Sequence, residues 1–470
     1  MNISSFLRKN VYSIVFVVLI LVLFLTRVIP FVLYGPFGFG YDTGIYKYIF
    51  ERIVSLKDVF ASEIYFLPSS IALIFNKLGL PMDWFLYYGH VLFSTFVAVP
   101  LYLLTKRYFG RVAGLLAILI FTISYVQLFA SEFYLFKAEI GAIFMLFSFY
   151  FYSKKSYWFY LFALFLGLTQ LPQFVILIVA TGIAGLVNFK KDLRYNLIGF
   201  SVFALSFGVL ALFTPHHLVN AFNVVWGALS GAQTYDAHQT GLFIEVPEFL
   251  YKSWLFLILG AFGVFKAFRM KNILSLNVAV LFLAVVVFGG IVFQNRFIVD
   301  LDLLMIPFVS YALVYIYYRY IKSRVGKALS LAALVFVGAF YVFYYLLTTF
   351  PAISDAERWA IEVINEREDS NYLLVTDSSY APWMQGFSDK VILAPGMFES
   401  VWNYEEFSEY NSASVDRRVE MLLDISGKYG NYYLFKGFKG PPSSFDEQTS
   451  SINKIFDLNG VVVYEVFEVN

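Results

Sequence analysis

The sequence predicts a polytopic α-helical membrane protein of about eleven spans with a small α/β domain outside the membrane at its C-terminal end. Two features of composition and one of pattern point there. Hydrophobic residues make up 60% of the 470 residues, aromatic residues 21% and charged residues only 14%, far from the roughly 25% charged share of soluble domains. Charge-poor apolar runs recur along residues 11–349 at the length of about 20 residues that carries a helix across some 30 Å of hydrocarbon. Beyond Pro351 the composition changes, and most of the chain's 33 acidic residues lie there. A net charge of +1 gives no footing for nucleic acid, and the absence of Cys removes disulfides, thiol catalysis and Cys-ligated zinc.

The expected spans are 11–33, 84–104, 112–130, 139–153, 157–169, 172–188, 195–213, 251–265, 273–293, 298–318 and 328–349. Gln170-Leu171-Pro172-Gln173 interrupts what would otherwise be one long run, and the reading adopted is two spans. Arg8 and Lys9 precede the first run as in a signal sequence, but no small-residue cleavage site follows, so the run is expected to remain as an anchor.

Loop charges orient the chain. Lys106, Arg107 and Arg111, Lys154 and Lys155, Lys190, Lys191 and Arg194, Lys266, Arg269 and Lys271, and Arg319, Lys322, Arg324 and Lys327 fall in loops on the same side as Arg8 and Lys9, with Asp192 as their one acid. Positive residues accumulate on the cytoplasmic side, so the expectation is an N-terminus inside and a C-terminal domain outside the cell membrane. Residues 1–350 then form the membrane domain, with large external loops at 34–83 and 214–250, and residues 351–470 form the soluble domain.

In the first external loop Ile45, Tyr48, Ile49, Ile53 and Leu56 fall at helical spacing opposite Lys47, Glu51 and Lys57, as in a helix lying in the membrane interface. A second such segment runs from Ser69 to Leu80. In the C-terminal domain Ser354-Asp355-Ala356-Glu357 forms a capping box opening a helix through Trp359, Ile361 and Ile364. Strand-like runs at 372–376, 391–394, 432–435 and 461–466 alternate with helical runs at 415–425 and 452–456. No nucleotide-binding glycine loop, zinc-protease helix or nucleophile elbow occurs in the sequence.

Asp42 stands in Gly40-Tyr41-Asp42-Thr43-Gly44-Ile45-Tyr46, just after the first span, where a carboxylate would meet the outer surface. This stretch resembles the first-loop motif of the GT-C integral-membrane glycosyltransferases, the group that includes protein O-mannosyltransferases, aminoarabinose transferases and the oligosaccharyltransferase catalytic subunit. Glu132-Phe133-Tyr134-Leu135-Phe136-Lys137-Ala138-Glu139 is similar to the second external loop of that group, and Gln294-Asn295-Arg296-Phe297 to its outer arginine segment. The resemblance implies a catalytic role for Asp42, contact of Arg296 and Lys137 with a donor phosphate, and supporting or acceptor-binding roles for Glu132, Glu139 and Tyr41; His216 and His217, with Asp236 and His238, are separate candidates for an acceptor or metal site in the large second loop. It implies a polyprenyl-phosphate-linked sugar donor and a lipid, glycan or protein acceptor at the bilayer surface. The Trp-Trp-Asp-Tyr-Gly motif of oligosaccharyltransferases is missing and the second loop has no Asp-x-Asp, which argues against transfer of a preassembled oligosaccharide to Asn. A divalent cation, Mg or Mn, is admitted as a cofactor, with no ligand set assigned to it.

The residue types suit that chemistry. Sugar transfer from a polyprenyl phosphate to a hydroxyl needs a base, stabilisation of an oxocarbenium-like transition state and a cation for the leaving phosphate. Arginine suits the last because its planar fork stays charged and binds phosphate oxygens in pairs. Simpler roles compete: Asp42 as a helix N-cap, Arg296 and Lys137 as interfacial anchors, Glu132 and Glu139 as markers of span ends, and His216, His217, Asp236 and His238 as solvated loop residues. The rival functional class is a secondary transporter or flippase, which usually carries ionisable groups near the bilayer midplane. The sequence instead sets Asp42, Glu132, Lys137, Arg296, Asp300 and Asp302 near predicted outer ends, with span centres almost free of charge.

Overall fold

The computed structural model describes residues 3–34, 39–62, 66–188, 193–216, 218, 219, 222, 223, 226, 244–291, 294–377, 380–395, 397–437 and 450–467. Two compact units account for them. One comprises Met1–Pro36 with most of the chain from Ile53 to Phe350, and the other joins Phe37–Arg52 to Pro351–Asn470. The segment Phe37–Arg52, assigned from sequence to the membrane domain, therefore clusters with the C-terminal residues.

The first unit is a helical membrane bundle, and the protein is a multi-pass membrane protein. Its helices are α1 (Ile3–Tyr34), α3 (Leu56–Ala61), α4 (Phe66–Lys77), α5 (Met82–Phe109), α6 (Arg111–Ile123), α7 (Tyr125–Glu132), α8 (Phe136–Ser153), α9 (Trp158–Gly167), α10 (Leu171–Val187), α11 (Leu193–Phe213), α12 (Val246–Ala267), α13 (Leu274–Phe288), α14 (Gln294–Tyr320) and α15 (Arg324–Thr348); α2 (Thr43–Glu51) belongs to the other unit. Among the described residues six helices are long and apolar enough to cross a membrane, or seven if α6 and α7, bent by 53° at their junction, make one broken span. Several of the eleven expected runs are shorter helices: α9 has 10 residues, about 15 Å of rise against some 30 Å of hydrocarbon. The chain breaks between α9 and α10 at Gln170, with Pro172 in the first turn of α10, where its missing N–H costs nothing.

α14 forms the buried axis of the bundle, with Leu301, Leu304, Ile306 and Phe308 fully enclosed. By contrast α15 exposes Val335, Phe336, Phe340 and Phe343, an apolar surface that only lipid would cover without cost. The α6–α7 break is stabilised by Ser124, whose hydroxyl oxygen accepts from Gln127 N–H at 3.3 Å while its proton goes to Asp302 Oδ2 at 2.7 Å. Backbone groups freed by a break inside a membrane need such partners.

The second unit contains a six-stranded sheet in the order β3-β2-β1-β4-β6-β5. The strands are β1 (Tyr372–Val375), β2 (Val391–Ala394), β3 (Met397–Phe398), β4 (Tyr432–Lys436), β5 (Ile452–Leu458) and β6 (Val461–Val466). β1 pairs in parallel with both β2 and β4, and β6 lies antiparallel between β4 and β5. Side chains alternate across the sheet. Leu373 and Val375 pack with Ile361 and Ile364 of α16 (Asp355–Asn365) and Trp383 of α17 (Ala381–Phe387). Leu374 and Leu434 pack on the other face with Leu422 and Ile425, and α18 (Tyr404–Ser412) and α19 (Val415–Tyr429) cover it.

The capping box at Ser354 and Glu357 is present, while Trp359 points outward and is 52% exposed. Residues 452–456, expected as helix, are strand instead. Asn459 and Gly460, with φ of 51° and 81°, form the tight turn that pairs β5 with β6, because an Asn-Gly turn with both φ positive matches the twist of a hairpin.

Candidate functional site

The sequence-selected residues are divided between the two units. In the C-terminal unit, Gly40 with φ of 81° turns the chain into α2, and Thr43 Oγ1 donates to Phe39 O at 2.7 Å to close that turn. Asp42 occupies the N-cap position with φ −83° and ψ 0°, but its side chain makes no capping hydrogen bond. Its backbone carbonyl accepts from Tyr46 N–H at 3.1 Å. The carboxylate is therefore not consumed by the helix end, as the N-cap reading would require. Tyr41 packs beside it. Burial first, then the charges of Asp42 and Asp377, push the Tyr41 phenol well above its ordinary range and keep it a hydrogen-bond donor. Asp377 was not singled out from sequence. It follows β1 directly, at the carboxyl end of a parallel strand next to the point where strand order reverses, the place where α/β sheets usually present functional groups.

The buried face of α2 is Thr43, Gly44, Tyr46 and Phe50, not the Ile45–Tyr48–Ile49 stripe expected to rest on lipid. It packs on α17: Lys47 lies over the Phe387 ring at 5.4 Å, and Gly44 lies against the backbone of Pro382 and Trp383 so closely that a Cβ there would overlap them.

In the membrane unit Glu139, on the first turn of α8, is held between two residues that sequence reading passed over. Its Oε1 lies 3.8 Å from Arg27 Nη1 on α1, and its Oε2 lies 3.1 Å from His90 Nδ1 on α5. Arg27 is 3% exposed, His90 0% and Glu139 9%. Arg27 also sits over the Phe121 ring at 5.0 Å, and His90 Nε2 lies 3.0 Å from Ser131 O. Residues 85–89, just before His90, are wound as π-helix, a local widening that recurs at functional sites. Its released carbonyl at Leu86 accepts the Tyr134 hydroxyl. Tyr134 itself holds φ of 69° and places its ring 4.3 Å from that of His90; a non-glycine residue in this region costs about 1–3 kcal/mol.

Glu132 ends α7, half-buried and within electrostatic reach of Tyr345, which also senses Arg27 and Glu139. Lys137 is half-buried on the first turn of α8, and Arg296 is exposed on the first turn of α14. Asp300 and Asp302 are enclosed by the bundle. They are 6% and 1% exposed and accept from Gln173 Nε2 at 2.7 Å, and from Ser124 Oγ at 2.7 Å and Gln127 Nε2 at 2.9 Å, respectively. His216 Nε2 lies 3.0 Å from Ser62 O, whereas His217, Asp236, His238 and most of the 214–250 loop lie outside the described residues. Among the described residues no group of three or more His, Cys, Asp and Glu side chains converges in a way that would hold a metal ion.

No family model and no curated protein matches the sequence. Solved structures do match the fold. The Archaeoglobus fulgidus oligosaccharyltransferase, in complex with zinc and sulfate, aligns with a TM-score of 0.62 at 13% identity over 90% of this chain and 68% of its own. ArnT from Cupriavidus metallidurans, bound to undecaprenyl phosphate, aligns at 0.59 and 12% identity over 96% of this chain and 97% of its own. The mycobacterial arabinofuranosyltransferase AftD aligns at 0.54 and 12% identity over 98% of this chain and 40% of its own. The fold is that of the GT-C membrane glycosyltransferases.

Proposed function

We propose that this protein is a membrane glycosyltransferase that moves one sugar from a polyprenyl-phosphate carrier to an acceptor hydroxyl, with inversion, at the outer face of the membrane. The observation that carries the reading is the fold, shared with solved membrane glycosyltransferases, together with the place of Asp42 at the head of α2. In the reaction Asp42 takes the proton of the acceptor hydroxyl as that oxygen bonds to the anomeric carbon. The bond from the anomeric carbon to phosphate oxygen breaks, and its electron pair leaves on the polyprenyl phosphate. Arg296 and Lys137 are assigned to the departing phosphate. Arg296 lies at a helix N-terminus, where the macrodipole disfavours a cation but favours an anion bound beside it. Tyr41, Glu132, Glu139 and His216 are assigned supporting or acceptor-side roles. The N-terminus is placed in the cytoplasm and the C-terminal unit outside on the strength of the loop charges.

A transporter or flippase is the second reading, and one finding favours it: Arg27, Glu139, Asp300 and Asp302 are buried within membrane helices, as is common along transport pathways. The two readings separate in one assay. Membranes carrying the protein are given a panel of radiolabelled polyprenyl-phosphate sugars and scored for label leaving the carrier. Transfer that requires the protein supports the enzyme. Carrier that crosses the bilayer with its sugar still attached supports the flippase.

A further inference from the structure

The contact between α2 and α17 is made by backbone. Gly44 lies against the carbonyl of Pro382 and Cα of Trp383, and Gly386 lies against the carbonyl and Cα of Gly44, so a Cβ at either glycine would overlap main-chain atoms. Around this crossing Thr43, Tyr46 and Phe50 of α2 are buried, as are Tyr380 and Trp383 of the other segment. Tyr380 lies between the carboxyl ends of β1 and β4, its ring against Gly437 and 5.3 Å from that of Phe435. The place where this sheet would ordinarily receive a ligand is thus filled by the chain itself, with Tyr41 and Asp377 beside it.

Asp42 is two residues from Gly44, about 3 Å along the helix. A helix fixed by main-chain contact cannot adjust by side-chain rotation; anything that wedges the crossing moves the whole helix and its N-terminal carboxylate. We infer that the C-terminal α/β unit is the positioning element for the proposed base, holding α2 and Asp42 through the Gly44–Gly386 crossing. This inference rests on the reading that Asp42 takes the acceptor proton. It gives the C-terminal unit a part in the chemical step.

The test is steady-state sugar transfer by the full-length protein with Gly386→Ala, which inserts a Cβ against Gly44 without adding polarity or charge. Phe387→Ala, which loosens the same packing by removal, reads the same quantity should the wedge prevent folding. Displacing a catalytic group by about 1 Å can cost about 100-fold in rate. The expected result is therefore a kcat lower by about 10-fold or more, with the donor KM within about twofold of wild type, because neither change touches donor. Folded variants of both kinds that keep the wild-type kcat while Asp42→Asn loses it would overturn the inference and leave the proposed function standing. An Asp42→Asn protein with wild-type kcat would remove the reading on which both depend.

Discussion

Replacing Glu139 with Gln removes the anionic partner that the structure sets beside Arg27. The pair is 3.8 Å apart and both groups are nearly enclosed, so at an effective dielectric constant of about 20 their Coulomb energy is about 4 kcal/mol. Loss of one partner from a buried pair typically costs about 3–5 kcal/mol, because the other charge stays desolvated and uncompensated. His90 loses its carboxylate contact as well. The expected cost of Glu139→Gln is thus about 3–5 kcal/mol, read from unfolding in mixed micelles followed by tryptophan fluorescence. Arg27→Met alone is expected to cost less, since Glu139 keeps His90 at 3.1 Å. The double replacement Arg27→Met with Glu139→Gln removes both charges and is expected to be more stable than the sum of the singles by about 2 kcal/mol. A cost below about 1 kcal/mol for Glu139→Gln, or single effects that add within about 0.5 kcal/mol, would show that the two groups do not depend on each other.

Asp302→Leu leaves Ser124 Oγ and Gln127 Nε2 without their shared acceptor and is expected to cost about 1–3 kcal/mol. Asp302→Asn, which keeps an acceptor oxygen, is expected to cost less in the same unfolding assay. Glu465, enclosed on β6, has its carboxyl pushed up by burial and then by Asp369, with Arg367 opposing. Because the folded state holds that proton more tightly, its contribution favours folding below the unfolded pKa of about 4.3 and is lost as pH rises through the folded value. Glu465→Gln is therefore expected to raise Tm at pH 7 and to have little effect near pH 4; an equal effect at both would contradict the assignment.

The legible parts of the molecule were those written in local pattern. The capping box at Ser354 needs only four residues, the break at Gln170 needs only Pro172, and Tyr41-Asp42 lies in one short motif. Elsewhere the signal was non-local or was outweighed. Arg27 is a single cation in a long apolar run, too little to change its hydropathy, although an ionisable residue inside a span is itself a reason to look for a partner. Its partner Glu139, and the His90 that Glu139 also meets, come from α8 and α5, which no spacing rule connects to α1. The docking of α2 on α17 joins residues more than 300 positions apart, so the apolar Ile45–Tyr48–Ile49 stripe drew attention to a face that is only half-buried. At 452–456 the apolar residues suited helix or strand, and the Asn459-Gly460 turn decides for strand.

The most direct test of the central claim is the single-turnover rate of sugar transfer, with saturating donor, by wild type and by Asp42→Asn of equal folded content. A base acting in the transition state contributes about 10²–10⁴-fold, and a loss of that size with unchanged donor affinity is the predicted result. A rate within about tenfold of wild type would contradict it and leave Asp42 as a residue of the α2 turn.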